Sequence, residues 1–177
     1  DVYKRQGSPS LLNSKWIERW LELISMYFEL QTKVEITLEV NPDDATKSYL
    51  NSIRQAGVNR ISLGIQTFNA VALKLMNRIH TVKQSKTALE ITANMFSNFS
   101  IDLIYGIPDI AIKQWNNDID NALFFNPVHI SSYALTVEPK TVLAHQINKG
   151  QIKMSDDEEM KIQYDNLVDR LCSLGYD

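Results

Sequence analysis

Glu39, Gln66 and Asp102 are polar residues set late in, or just after, segments that otherwise alternate like β-strands. In 34–40, Ile36, Leu38 and Val40 alternate with Glu35, Thr37 and Glu39. In 60–65 and its exit, Ile61, Leu63 and Ile65 oppose Ser62, Gly64 and Gln66, and in 99–105, Ile101, Leu103 and Tyr105 flank Asp102. Side chains on a strand alternate between faces, so each polar set shares a side. Parallel strands covered on both sides normally read as continuous apolar runs. An unpartnered buried carboxylate costs several kcal/mol, so a line of such groups implies a ligand, water or cations on that side. The competing reading is an antiparallel sheet with one wet face, and the helices that separate all the strands argue against it.

Other residue groups carry weaker signals. Gly7-Ser8-Pro9-Ser10 precedes a helix and offers backbone N–H groups suited to a carboxylate or phosphate, although Ser-Pro there is usually only a cap. Arg78 and His80 lie in an interhelical loop, where an arginine is more often solvated than a ligand clamp. Asp102-Leu-Ile-Tyr-Gly-Ile-Pro108 closes a strand with a tight exit. The acidic run at 156–159 complements a helix dipole. No metal-ligand spacing links His129 and His145, and the single cysteine, Cys172, cannot hold a cluster or zinc site alone. No catalytic and no metal-ligating residue is assigned.

The elements that must position these groups follow a regular rhythm. Helices are expected over 14–28, 46–56, 69–76, 81–96, 113–125 and 156–174, and strands over 34–40, 60–65, 99–105 and 129–136, the last without clean alternation. In 14–28, Trp16, Trp20, Leu23 and Tyr27 form one seam, with Ile17, Leu21, Ile24 and Phe28 beside it. Capping boxes are expected at Thr81/Gln84 and Ser155/Glu158. Met160, Tyr164, Leu167, Leu171 and Leu174 should form the buried side of the last helix. Strand–helix alternation implies an α/β fold with parallel strands and right-handed crossovers, either an open doubly wound sheet or a full or partial (β/α) barrel with its ligand at the strand C-termini. No GxGxxG or GxxxxGK[ST] follows a strand, which removes support from nucleotide-binding open sheets.

Composition sets outer bounds. The chain has 177 residues, 44% hydrophobic and 22% charged, which excludes whole-chain disorder, collagen and coiled-coil arrays. No apolar run reaches the roughly 18–20 residues of a membrane span. No secretory signal is visible, and a reducing cytoplasm is the natural compartment for one cysteine. Net charge is −3, with 12 Lys/Arg against 8 Asp/Glu in 1–88 and 6 against 13 in 89–177. No basic stripe appears, so nucleic acid is not an expected partner.

Several segments in order resemble the coproporphyrinogen-oxidase-like branch of the radical S-adenosylmethionine (SAM) proteins. They are Gly7-Ser-Pro-Ser-Leu-Leu12, Glu35-Ile-Thr-Leu-Glu-Val-Asn-Pro42, the segment from Ala56 to Asn69, Asn77-Arg-Ile-His-Thr81, and Ile101 to Pro108 with Trp115. The segment Tyr133 to Thr141 resembles the heme-chaperone group, HemW, more than the anaerobic oxidase. The resemblance runs from Gly7 to Asp177 and implies a partial (β/α) barrel of the radical SAM type. It implies 7–136 as partial core, 137–177 as the start of a C-terminal helical region, and 1–6 as a possible non-native scar.

The same resemblance implies SAM contacts at Gly7, Ser8, Glu39, Gln66, Arg78, Asp102 and Thr136. It implies a [4Fe-4S] cluster in a full-length parent, and heme or porphyrin with a heme-acceptor protein as partners, any membrane contact coming through that acceptor. The family's CxxxCxxC loop is absent and Arg5-Gln6 stands where the family has glycines, so the sequence reads as an internal fragment not expected to perform radical chemistry alone. The enzyme alternative is an oxygen-independent coproporphyrinogen III oxidase that decarboxylates propionates, and the third is an inert β/α scaffold.

Overall fold

The structure is a computed structural model and describes residues 9–177. A 3-10 turn at Pro9–Leu11 leads into α1 (Ser14–Tyr27), followed by β1 (Thr37–Val40), α2 (Lys47–Gln55), β2 (Arg60–Gln66), α3 (Ala70–Leu75) and α4 (Val82–Met95). Then come β3 (Phe99–Tyr105), α5 (Ile112–Leu123), β4 (His129–Ala134), α6 (Val142–Asn148) and α7 (Asp157–Ser173). The four strands form one sheet in the order β1-β2-β3-β4, with every pair parallel. A doubly wound sheet reverses its strand order at a switch point. Here the order follows the chain throughout, as in a barrel wall.

The two sides of this sheet differ as the alternation predicts. Ile61, Leu63 and Ile65 of β2 and Ile101 and Leu103 of β3 are fully buried. They pack with Leu50, Ile53, Leu89, Trp115 and Ile119 of the helices in one core. Arg60, Ser62, Gly64 and Gln66 alternate with the buried positions of β2 and stay half-exposed on the other side. The antiparallel, one-wet-face alternative is therefore excluded by the pairing itself.

Local chemistry explains the element ends. Strand β1 begins at Thr37 rather than 34 because a side chain replaces the neighbouring strand there. Asn59 Oδ1 accepts from Ile36 N–H at 2.8 Å, and Asn59 Nδ2 donates to the carbonyl of Val34 at 2.8 Å. Strand β4 ends at Ala134 because β3 ends at Tyr105. Leu135 N–H still reaches the Tyr105 carbonyl at 2.9 Å, and Gly106 then turns away with φ +71°. Thr46, Asn69 and Thr81 cap α2, α3 and α4, and Thr81/Gln84 forms the full capping box.

Three expectations are corrected. The capping box of α7 is Asp156/Glu159, one residue later than Ser155/Glu158. Ser155 Oγ instead lies 3.5 Å from the Ile107 carbonyl, so its hydroxyl serves the β3 exit loop. The buried residues of α7 are Gln163 and Leu167, whereas Leu174 is 61% exposed and Tyr164 49%. Gln163 is drawn inward by three contacts that periodicity does not report: its Oε1 accepts from Gly106 N–H at 2.8 Å, its Nε2 donates to Ile110 O at 3.2 Å, and its carbonyl accepts from Trp115 Nε1 at 2.8 Å. On α1 only Ile17 is buried, with Leu21 partly packed, while Trp16 and Trp20 are more than half exposed. The short α6 lies outside the expected elements; Thr141 caps it through Ala144 N–H at 3.1 Å. Among the described residues no helix is long and apolar enough to cross a membrane.

Candidate functional site

The polar side of the sheet carries a connected network. Ser100 Oγ donates to Ser62 Oγ at 2.9 Å, and Ser62 Oγ donates to the Asp102 carboxylate at 3.1 and 3.3 Å. Glu39 stands beside Ser62 in the β1–β2 register, and Asp102 beside Ser131 in the β3–β4 register. Burial pushes the Asp102 carboxyl above its ordinary range, and the negative charge of Glu39 pushes it the same way; hydrogen bonds from Ser62 and Ser131 and the charge of Arg60 oppose this. Glu39 and Asp102 thus feel each other across the intervening strand β2.

Arg78 enters the same surface from the α3–α4 loop. Its Nη2 donates to Asn41 Oδ1 at 3.1 Å and to the Gly64 carbonyl at 3.1 Å. Partial burial lowers its pKa, while Asp43 and Asp102 raise it. A guanidinium stays charged in proteins regardless, so Arg78 is a fixed cation held in place before any ligand arrives. Gly64 makes room for it: a Cβ there would lie 3.0 Å from Gln66 Nε2 and 3.2 Å from Arg78 Nη2.

Gln66 ends β2 with φ +69°, at a register shift in which Leu63 pairs with Ile101 but Gln66 pairs with Leu103. Such a bulge re-aims a side chain. Gln66, Arg78 and Thr136 all line one open cleft of about 860 Å³, with Ile104 and Glu138 also in its wall. Thr136 is exposed just past β4, its Oγ1 3.5 Å from the Ala134 carbonyl. The structure therefore brings Gln66, Arg78 and Thr136 to one cleft, whereas Glu39 and Asp102 are not among its lining residues: Asp102 is held by Ser62 and feels the charges of Arg78 and Glu39, and Glu39 stands next to Ser62 in the sheet. Gly7 and Ser8 lie outside the described residues.

Local pattern gives no role to Ser62, which holds Asp102, or to Asn41, which holds Arg78. Ser10, read only as part of the Gly7–Ser10 stretch, is a buried residue that donates to Asp44 Oδ2 at 2.6 Å and ties the N-terminal turn to the β1 exit loop. His80 is not a free loop histidine: it is 3% exposed, its Nε2 is 3.3 Å from the Ile65 carbonyl, and burial with the nearby Arg78 charge lowers its pKa.

These groups fit SAM. A cation held at a gap left by a glycine suits a carboxylate, and carboxylates beside it suit an ammonium group and ribose hydroxyls. They do not fit an iron–sulfur cluster. Among the described residues no group of three or more His, Cys, Asp or Glu could hold a metal ion, and Cys172 is exposed on α7.

Comparison with known proteins identifies the family. The Radical SAM superfamily model matches residues 6–122. The heme chaperone HemW of Lactococcus lactis is 32% identical over 176 residues, 99% of this chain and 46% of that protein. HemW of Escherichia coli is 35% identical over 137 residues, 77% of this chain and 36% of that protein. The structure of coproporphyrinogen III oxidase (HemN) from Escherichia coli, described as a radical SAM enzyme, superposes with a TM-score of 0.81 at 27% identity, over 97% of this chain and 39% of that one. The chain thus spans less than half the length of these relatives. The matched residues, the parallel sheet and the polar strand ends agree, and the chain belongs to the Radical SAM superfamily.

Proposed function

We propose that this chain is the SAM-holding part of a HemW-like heme chaperone, a protein that binds SAM, a [4Fe-4S] cluster and heme and passes heme to an acceptor protein. The observation that carries the reading is the meeting of Arg78 and Gln66 over Gly64 at the end of β2, with the Asp102 carboxyl within reach of the charges of both Arg78 and Glu39. In this reading Gly7, Ser8, Glu39, Gln66, Arg78, Asp102 and Thr136 contact SAM. Arg78 pairs with the ligand's carboxylate, Glu39 and Asp102 take its ammonium group and hydroxyls, and the Gln66 carboxamide donates and accepts at the cleft wall. Residues 7–136 form the partial core and 137–177 open a C-terminal region. The cluster's thiolates come from outside these 177 residues, which hold one cysteine. A single unpaired thiol also suits a reducing cytoplasm.

The chaperone assignment rests on the HemW relatives and on the Tyr133–Thr141 segment. A second reading, an oxygen-independent coproporphyrinogen III oxidase, is favoured by the HemN superposition. Anaerobic incubation of the reconstituted full-length protein with coproporphyrinogen III, SAM and reductant separates them. The chaperone reading expects no protoporphyrinogen, together with stoichiometric heme uptake in an absorbance titration. Protoporphyrinogen formed at enzymatic rates would establish the oxidase instead.

A further inference from the structure

Gln66 presents its carboxamide from a backbone that a strand does not adopt unaided. Its φ of +69° lies in the left-handed region, and Thr67 N–H closes a three-residue turn around it onto the Ile65 carbonyl at 2.9 Å. A non-glycine residue there costs on the order of 1–2 kcal/mol and persists only where the surroundings fix it. Those surroundings lie outside the cleft. On the upstream side, the His80 ring nitrogen meets the Ile65 carbonyl at 3.3 Å. On the downstream side stands Asp118 of α5, a fully buried carboxylate in contact with no cleft-lining group of the strand ends.

Asp118 Oδ2 accepts from Thr67 Oγ1 at 2.5 Å, and Oδ1 accepts from Phe68 N–H at 3.0 Å and from Gln114 Nε2 at 3.1 Å. Thr67 Oγ1 in turn accepts from Asn69 N–H at 3.0 Å, and Asn69 caps α3. One buried charge therefore fixes the two residues after Gln66 and, through Thr67, the start of the next helix. Hydrogen bonds to a carboxylate are roughly twice as strong as neutral ones, which suits a clamp that must hold a strained turn.

We propose that Asp118 is a positioning residue for Gln66: its carboxylate locks the Thr67–Phe68 turn in the form that aims the Gln66 carboxamide into the cleft. The proposal deepens the SAM-site reading and rests on it. No other residue of the β2 exit separates Gln66 from the clamp.

The test measures SAM binding by calorimetry to the full-length, cluster-reconstituted protein carrying Asp118→Asn, Thr67→Val, Gln66→Ala and the pairwise combinations with Gln66→Ala. A second measurement, made without SAM, follows amide hydrogen exchange at residues 66–68. Asp118→Asn is expected to weaken SAM binding about tenfold and Thr67→Val a few-fold, the scale of one or two lost hydrogen bonds. In the Gln66→Ala background either change should shift the dissociation constant by less than about twofold, because the two residues act through one side chain. Exchange at 66–68 should accelerate in both single variants. If Asp118→Asn fails to fold, Thr67→Val carries the same comparison. Unchanged SAM affinity in the single variants, a full additive loss on top of Gln66→Ala, or unchanged exchange would each overturn the proposal. Absence of SAM binding by the unsubstituted protein would instead overturn the site reading and the proposal together.

Discussion

Arg78 donates to the carbonyl oxygen of Gly64 at 3.1 Å, and the space where a Gly64 side chain would stand is taken by the tips of Arg78 and Gln66. The glycine is required here by the close approach of two side chains that line the cleft. Gly64→Ala should therefore cost little in folding, about 1 kcal/mol or less, because both crowded neighbours are the ends of flexible side chains. It should weaken SAM binding several-fold by displacing both. Urea denaturation and calorimetry on the same protein check this. A large folding loss with unchanged affinity would place the importance of Gly64 in packing alone.

Asp102 works against stability at neutral pH. Burial and Glu39 raise its pKa above the ordinary 3.8, so the folded state holds its proton more tightly than the unfolded state does. Its contribution to stability is thus greatest below 3.8 and is lost as pH rises through the raised folded value. Asp102→Asn should increase the urea midpoint at pH 7 and flatten the pH dependence above 4. The same change, and Glu39→Ala, should each reduce SAM affinity by about 1–3 kcal/mol, the scale of a lost charge-assisted hydrogen bond. Calorimetry at pH 7 supplies the affinity arm.

His80 has the opposite sign. Desolvation and the Arg78 charge lower its pKa below 6.5, so the folded state keeps it neutral where the unfolded state protonates it. The stability tied to neutral His80 is fully present above 6.5 and is lost as pH falls through that window toward the folded value. His80→Asn should reduce the loss of thermal stability between pH 7 and pH 5. Scanning calorimetry of the two proteins at both pH values makes the comparison.

The β3 exit depends on Gly106 and Gln163. Gly106 has φ +71°, and a Cβ there would lie 2.9 Å from both Met160 Cγ and Sδ. Gly106→Ala combines backbone strain with a displaced α7 and should cost about 2–3 kcal/mol. Gln163→Ala strips the buried Gly106 N–H and the Ile110 carbonyl of their partner, with a loss of about 2–4 kcal/mol across the two groups. Both are read from urea denaturation. Equal losses in the variants and in their double mutant would show that they act on one junction.

The amino-acid sequence by itself determined the repeating unit and the side of each strand. Alternation around Ile61, Leu63 and Ile101 assigned Glu39, Gln66 and Asp102 to the face away from the helices because side-chain direction on a strand has a period of two residues, a local property. The Thr81/Gln84 box was legible for the same reason, since both partners lie within one helical turn. Tertiary structure decided what local pattern cannot hold. The strand order, which follows the chain without a reversal, ruled out the doubly wound alternative. Asn59 shortened β1 from beyond helix α2, 23 residues away, Gln163 moved to the inner side of α7 to serve a loop 57 residues away, and Asp118 reached Thr67 across 51 residues. A polar residue on an amphipathic helix carries no mark of whether water or a distant backbone group will satisfy it. That partner exists only after the crossovers have closed, because burial is what forces each buried polar group to find one.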